Sequence, residues 1–256
     1  MRRANSFSCA GLLAISALLL SCTAAEPATT SDEAIEGQAK PAIGLVTSLP
    51  IYWGEGSFDD LLDDDGQAHP ARQVMEREYR LVPLDTLSDG GGQPSRELAT
   101  LDRLMVAQPR ALTPADNVAL DEWVRDGGSL LLVIDPMLTS HTSYPVGDPR
   151  RPSDVGLVPP VLARWGLEMR EDERTFEAAG IRAWNEVPLP VHKAGRLKEA
   201  SGTESGECRI EASGLIADCR IGKGSVLIVA DAAWLDVEQG ANTGPGITQV
   251  VRRVFE

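Results

Sequence analysis

Basic residues are scarce in this chain of 256 residues: 24 Lys and Arg stand against 38 Asp and Glu, a net charge of −14. A nucleic-acid partner requires a basic face to neutralise phosphates, and this balance argues against that class. Histidine is scarcer still. His69, His141 and His192 are the three present, in unrelated polar segments without metal-ligand spacing. No Gly-x-x-x-x-Gly-Lys-[Ser/Thr] run occurs, so the chain is not a P-loop ATPase. No Gly-x-Ser-x-Gly or Gly-x-Cys-x-Gly elbow occurs either, which removes the usual presentation of a nucleophile after a strand. The acidic run FDDLLDDDGQ fails as an EF-hand. With Gly66 at the sixth loop position, Leu61 and Arg72 occupy the first and twelfth, where acids belong. These absences leave a soluble globular domain with no metal or cofactor motif.

What is present begins at the N-terminus. MRRANSFSCAGLLAISALLLSC joins Arg2 and Arg3 to an apolar run from Ala10 to Leu20, too short to span a bilayer comfortably. Its Leu19-Leu20-Ser21-Cys22 ending resembles the lipobox of bacterial lipoproteins. The resemblance implies cleavage before Cys22, a diacylglyceryl group on its sulfur and an acylated new N-terminus. The alternatives are an ordinary secretory signal and an uncleaved anchor. Thr23 is not the Asp associated with inner-membrane retention in enteric bacteria, which favours the outer membrane. Cleavage removes two basic residues and no acid, moving the net charge from −14 to −16. Residues 22–41 then form a small, polar tether reaching about 25 Å as a random coil, ahead of one α/β domain over 42–256.

Ala42 to Val46 reads as a strand buried on both faces. Ala71, Val74, Met75 and Tyr79 share a helical face, and RLVPLDTL and DRLMVAQP read as the second and third strands. LTPADNVALDEWVRDGG carries helix punctuation: Thr113 as cap, Pro114 in the first turn, Asp116 at the positive end, Gly127 at the stop. DGGSLLLVIDPML is a fourth strand ending in Asp135-Pro136, and VPPVLARWG is a short helix. From about 168 to 221 the texture changes to short strands and hairpins, before the buried strand GSVLIVADAAWL and an amphipathic C-terminal helix. Strand–helix alternation predicts a three-layer α/β fold, a mostly parallel sheet with helices on both faces and a β-hairpin-rich insertion near 168–221.

Four segments in order carry a family resemblance: TSLPIYWGEG, DRLMVAQPRALTPADNVALDEWVRDGGSLLLVIDPML, VPPVLARWGLEMRED and GKGSVLIVADAAWL. Together they resemble the gliding-motility-type auxiliary component of ABC transporters over roughly residues 42–236. The resemblance implies a fold like class I glutamine amidotransferases, close to the flavodoxin-like type, without glutaminase chemistry. It also implies an accessory role beside a permease and its ATPase. Many relatives carry transmembrane helices, whereas this chain carries a lipobox-like ending.

Ligands of open α/β sheets sit beyond the carboxyl ends of the strands. The residues there are Ser48, Tyr52, Trp53 and Glu55 after the first strand and Asp135 after the fourth. Asp231 and Trp234 follow the last core strand. Asp135 and Asp231 read either as an acid/base or cation-sharing pair or as caps of the following turns. Asp135-Pro136-Met137, at the end of the fourth strand, offers no nucleophile. Tyr52 and Trp53 read either as a stacking or docking surface or as rings folded back on the sheet. The favoured reading is a non-enzymatic, lipid-anchored envelope protein that binds a partner or small ligand as an accessory to an ABC transport system. It uses no cofactor, and its membrane partner is reached through the lipid. The alternative is a hydrolase using Asp135 and Asp231 with a cation or water.

In CRIEASGLIADC, pairing about Ser213-Gly214 sets Glu211 opposite Ile216, Ile210 opposite Ala217, Arg209 opposite Asp218 and Cys208 opposite Cys219. Cross-strand neighbours lie in disulfide range, and export places them in an oxidising compartment. A four-residue loop would preserve the same pairing and bring the side chains closer.

Overall fold

The chain is described here by a computed structural model covering residues 39–55, 68–171, 179–201, 207–236 and 243–256. The leader, Cys22, the tether up to residue 38 and the run 58–67 lie outside the described residues. In chain order the elements begin with β1 (Ala42–Thr47), α1 (Pro70–Met75), β2 (Arg80–Pro83), β3 (Arg103–Ala107) and α2 (Pro114–Asp126). β4 (Ser129–Val133), α3 (Val161–Arg164), β5 (Leu167–Glu171), β6 (Ala179–Trp184) and β7 (Val187–His192) follow. The chain closes with β8 (Gly195–Glu199), β9 (Glu207–Glu211), β10 (Ile216–Ile221), β11 (Gly224–Val229) and α4 (Thr243–Phe255).

The main sheet runs β2-β1-β3-β4-β11-β10-β9. Its first five strands are parallel, and β10 and β9 are antiparallel additions. The parallel part has the 2-1-3-4-5 order of flavodoxin-like sheets. Successive strand side chains point to opposite faces, so continuous apolar runs feed two cores. Ile43, Leu45, Met105, Leu131, Val133 and Leu227 pack with α1 and α4 residues such as Met75 and Val250. Leu104, Val106, Leu130, Leu132, Val226 and Ile228 pack with α2 and α3 residues such as Leu120 and Leu162. Tyr79 joins the first core from the turn after α1, since that helix stops at Met75.

Local chemistry fixes α2 at both ends. Thr113 Oγ1 accepts from the Asp116 N–H at 3.1 Å, and the Asp116 carboxylate accepts from the Thr113 N–H at 3.1 Å. The helix stops at Gly127, whose φ of +130° only glycine adopts without strain. Asp116 also accepts from the N–H groups of Leu87 and Ser88, locking the β2 exit to the helix start. A buried Asp121 joins α2 to α3, accepting from Arg125 Nε, Arg164 Nε and Trp165 Nε1. Burial pushes this carboxyl up, but the bonds from Arg125, Trp165 and Arg164 outweigh it and hold the group below its usual range. At the start of β11 a Cβ on Gly224 would stand 2.1 Å from the Val124 carbonyl oxygen, so no side chain fits between strand and helix.

The region 168–221 divides among three places. β5 pairs with β8, β6 pairs with β7, and β9–β10 extends the main sheet. Cys208 pairs with Cys219 in the β9–β10 ladder, and their sulfurs are bonded. The connection is the four-residue Ala212–Leu215 rather than a two-residue turn, with Ala212 and Ser213 at φ of 48° and 58°. That loop makes the cysteines a close-approach pair, Cα to Cα 4.0 Å. Replacing both cysteines by alanine is expected to cost about 2–3 kcal/mol, the entropy of a short closed loop. Denaturant titration of the wild type under oxidising and reducing conditions checks this: both the reduced protein and the double variant should lose the same increment.

Among the described residues no helix is long and apolar enough to cross a membrane.

Candidate functional site

The carboxyl edge of the parallel strands is where β1 runs into Ser48–Glu55, β3 into Gln108, β4 into Asp135 and β11 into Asp231. The chain leaves β1 towards β2 on one side and enters β3 on the other, and that reversal opens a crevice between β1 and β3. Here the crevice is filled by the protein itself. Ser48 Oγ donates to the Gln108 carbonyl at 2.5 Å and accepts from the Ser153 N–H at 3.0 Å. The Gln108 amide donates to the carbonyls of Asp135 (3.1 Å) and Ser153 (2.9 Å) and accepts from the Asp135 N–H (2.8 Å).

Gln108 has a φ of +43° and is 0% exposed. A strained residue just after a strand is how α/β enzymes present a nucleophile. The sequence directs attention to Asp135-Pro136-Met137 for that elbow, but the strained position is at Gln108, after β3 instead of β4. A buried carboxamide cannot attack a carbonyl.

Asp135 and Asp231 lie two residues beyond the paired Val133 and Val229, which sets them side by side at the ends of adjacent strands. Asp135 accepts from the N–H groups of Met137 (2.9 Å) and Ala232 (3.2 Å). Asp231 accepts from Ala233 (2.6 Å) and His192 (2.8 Å). They are 1% and 0% exposed, and each closes the turns around it. Burial pushes the Asp135 carboxyl up to about 6 against the pull of its two N–H bonds. Burial, and then the neighbouring Asp135 charge, push Asp231 up to about 8 against its own N–H bonds and Arg182. The pair therefore holds a proton at neutral pH, inside the protein and out of reach of a substrate.

Above this buried layer lies the aromatic loop. Tyr52 is half-buried, with the Arg72 guanidinium 4.3 Å from its ring centroid and Arg72 Nη1 donating to its carbonyl at 2.6 Å. Trp53 meets Tyr52 edge-on at 4.8 Å and is 68% exposed. Tyr52 is thus held against the domain while Trp53 is displayed. Glu55 accepts from the Ser143 N–H and hydroxyl at 3.2 and 3.3 Å. Beside this loop opens a cavity of about 240 Å³, with Ile51, Glu55, His69, His141, Leu235 and Asp236 in its wall.

The structure brings Ser48, Tyr52, Trp53, Glu55, Asp135 and Asp231 to one edge. Only Glu55 among them lines the cavity, and Ser48, Asp135 and Asp231 belong to the buried layer. Trp234 is in the core, 1% exposed, with its Nε1 donating to the Asp231 carbonyl at 3.0 Å, and offers no ligand surface. His69 and His141 were not among the residues nominated from the sequence. A signal for His69 existed. It precedes Pro70 and caps α1, its Nδ1 accepting from the Ala71 N–H, and a crossover helix starts at the carboxyl edge. Among the described residues no group of three His, Cys, Asp or Glu is placed to hold a metal ion.

The family described as an ABC-type uncharacterized transport system matches residues 40–180. No curated protein matches. Among solved structures, the exo-beta-1,4-mannosidase Op5Man5 from Opitutaceae bacterium strain TAV5 is 15% identical with a TM-score of 0.50. The match covers 85% of this chain and 36% of the mannosidase. The mmIFT52 N-terminal domain is 11% identical (TM-score 0.45), with 84% of this chain and 96% of that domain covered. Cytoplasmic Protein STM1381 from Salmonella typhimurium LT2 is 10% identical (TM-score 0.42), with 84% of this chain and all of that one covered. The chain spans about a third of the mannosidase, and identities this low speak to the fold alone.

Proposed function

The chain belongs to the family described as an ABC-type uncharacterized transport system, and from that membership we propose that it is a non-enzymatic accessory component of such a system. In this reading Cys22 carries the lipid, residues 22–41 are the tether, and the α/β domain stands at the periplasmic face of the envelope. The domain is a glutamine-amidotransferase-like fold without the nucleophile, and its carboxyl edge meets the permease of a permease–ATPase pair. The observation that carries the reading is Gln108. The position where such a fold would present an attacking atom holds a buried carboxamide, while Trp53 stands exposed on the same edge. The hydrolase alternative requires Asp135 and Asp231 to be reachable in an open pocket, and both are sealed under capped turns.

The test uses the full-length chain in its native host with a photo-crosslinking residue in place of Trp53 and, as control, of the exposed Val146. Crosslinks to a permease subunit from the Trp53 position, and not from Val146, are expected. Adducts with no transport component from either position defeat the accessory reading. Mass spectrometry of the same preparation reads the anchor: the N-terminal peptide should begin at a diacylglyceryl-modified Cys22, and Cys22→Ser should remain unprocessed. An unmodified, cleaved and soluble wild type rules out the lipid.

A further inference from the structure

We propose that β6 is a docking edge for a second copy of this chain, the two β6 strands pairing antiparallel about a two-fold axis at Ile181. The proposal goes beyond the accessory role and stands whether or not Trp53 meets a permease.

The ribbon of β6 and β7 is a sheet separate from the main one. Its turn is Asn185-Glu186, with φ of 46° and 66°, and a two-residue turn makes the flanking Trp184 and Val187 a hydrogen-bonded pair. Counting outward, Arg182 with Leu189 and Gly180 with Val191 are hydrogen-bonded pairs too. The residues between them turn their backbone groups away from the ribbon. On β7 these are Pro188 and Pro190, which have no N–H, and His192, whose N–H donates to Asp231 at 2.8 Å. On β6 they are Ala179, Ile181 and Ala183. All three are exposed, and among the described residues nothing bonds to their outward backbone groups.

A free edge of this kind is a template for another strand, and proteins blunt such edges with proline or charge. Elsewhere this chain does so: β7 has its two prolines, β2 ends in Pro83, and β9 carries Glu207, Arg209 and Glu211. β6 instead turns Ala179, Ile181 and Ala183 to solvent, with Ile181 73% exposed. A two-stranded ribbon is marginal by itself, and joining two of them edge to edge gives a four-stranded antiparallel sheet.

The strand is complementary to itself. Its residues Ala179-Gly180-Ile181-Arg182-Ala183 read almost alike in both directions about Ile181. With Ile181 on the axis, Ile181 faces Ile181 of the copy, Ala179 faces Ala183, and Gly180 faces Arg182. Each outward N–H then meets an outward carbonyl, and only this register pairs all three residues within β6. The two isoleucines cover one another as cross-strand neighbours. Gly180 has open space where a Cβ would stand. It lies opposite the one charged residue of the strand, so Arg182 never meets its own mate.

The test uses the full-length chain in the membranes of its native host, under a mild oxidant, with disulfide-linked dimer read on a non-reducing gel against the wild type. Ile181→Cys should form dimer about tenfold faster than the exposed Val146→Cys, because pairing holds the two sulfurs within disulfide range. Ala179→Cys and Ala183→Cys should each fail alone, since like positions then lie about 13 Å apart along the strands, and should crosslink when the two variants are expressed together. Adding Ile181→Lys to that mixture should abolish the band, two like charges then facing across the axis. Its melting temperature should stay unchanged, because the side chain is exposed. Ile181→Cys crosslinking no faster than Val146→Cys overturns the proposal. So does dimer from Ala179→Cys or Ala183→Cys alone matching that from the mixture, or a folded Ile181→Lys mixture that still crosslinks. None of these outcomes bears on whether Trp53 crosslinks to a permease.

Discussion

Between pH 5 and pH 7 the protein is expected to lose about 4 kcal/mol of stability, at up to about 1.4 kcal/mol per pH unit for each proton that the folded state alone retains. The sign follows from the buried carboxyl pair. Asp231 and Asp135 are pushed up to about 8 and about 6 in the fold, whereas an unfolded Asp titrates near about 3.9. The folded state therefore binds more protons across this window, so stability falls as pH rises from about 4 and levels off above about 8. The carboxylates held low by their partners, Asp116, Asp121 and Asp148, act in the opposite sense and only below that range. In a chain of this size the loss corresponds to a fall in Tm of about 10 °C, read by calorimetry in matched-ionic-strength buffers. Asp231→Asn should flatten the slope even though it breaks one of the two caps that Asp231 provides. A slope unchanged by Asp231→Asn would show that the pair does not hold the proton.

Gln108→Ala should destabilise the domain by about 3 kcal/mol, chiefly by leaving the buried Asp135 N–H and the Ser153 carbonyl without partners, at about 1–3 kcal/mol for each orphaned group, while the Asp135 carbonyl keeps the Gly156 N–H at 2.7 Å. Gln108→Gly separates that loss from the backbone. A residue held in the left-handed region costs about 1–2 kcal/mol when it carries a Cβ, so glycine should be the milder change by about 1 kcal/mol despite losing the same bonds. Urea midpoints of the two variants decide the matter. Equal losses would mean that the φ of +43° stores no strain, and a small loss in both would mean that the crevice reorganises around water.

Much of the scaffold was legible because its signals are local. Thr113, Pro114, Asp116 and Gly127 bound α2 in the order in which caps act, and an apolar run cannot sit anywhere but between two helix layers. The Cys208–Cys219 register was legible because a hairpin counts outward from its turn, and the count survives a change of loop length. The site was less legible, because long-range placement decides it. Nothing local says that Trp234 turns inward or that Asp121 collects Arg125, Arg164 and Trp165 from two helices. Nor does AQPR announce a strained residue, since glutamine is not a residue that favours positive φ and contacts with the distant Ser48, Val133, Asp135 and Ser153 hold it there. His69 and His141 meet across a cavity assembled from distant loops, which spacing along the chain cannot express.

The position of β11 in the sheet has a consequence for how the protein comes into being. It lies between β4 and β10, yet its register joins Ser225 to Ser129 and Val229 to Val133, so a central strand arrives almost a hundred residues after its neighbour. Until residue 229 has been synthesised, β4 presents an unpaired apolar edge, and the hairpin that will cover the far side has nothing to pair with. Long-range parallel pairing is slow to form, and exposed strand edges are where nascent chains associate wrongly. The nascent chain therefore cannot complete its sheet early, and any truncation before Gly224 exposes the row of backbone groups on β4 that the last strand exists to satisfy.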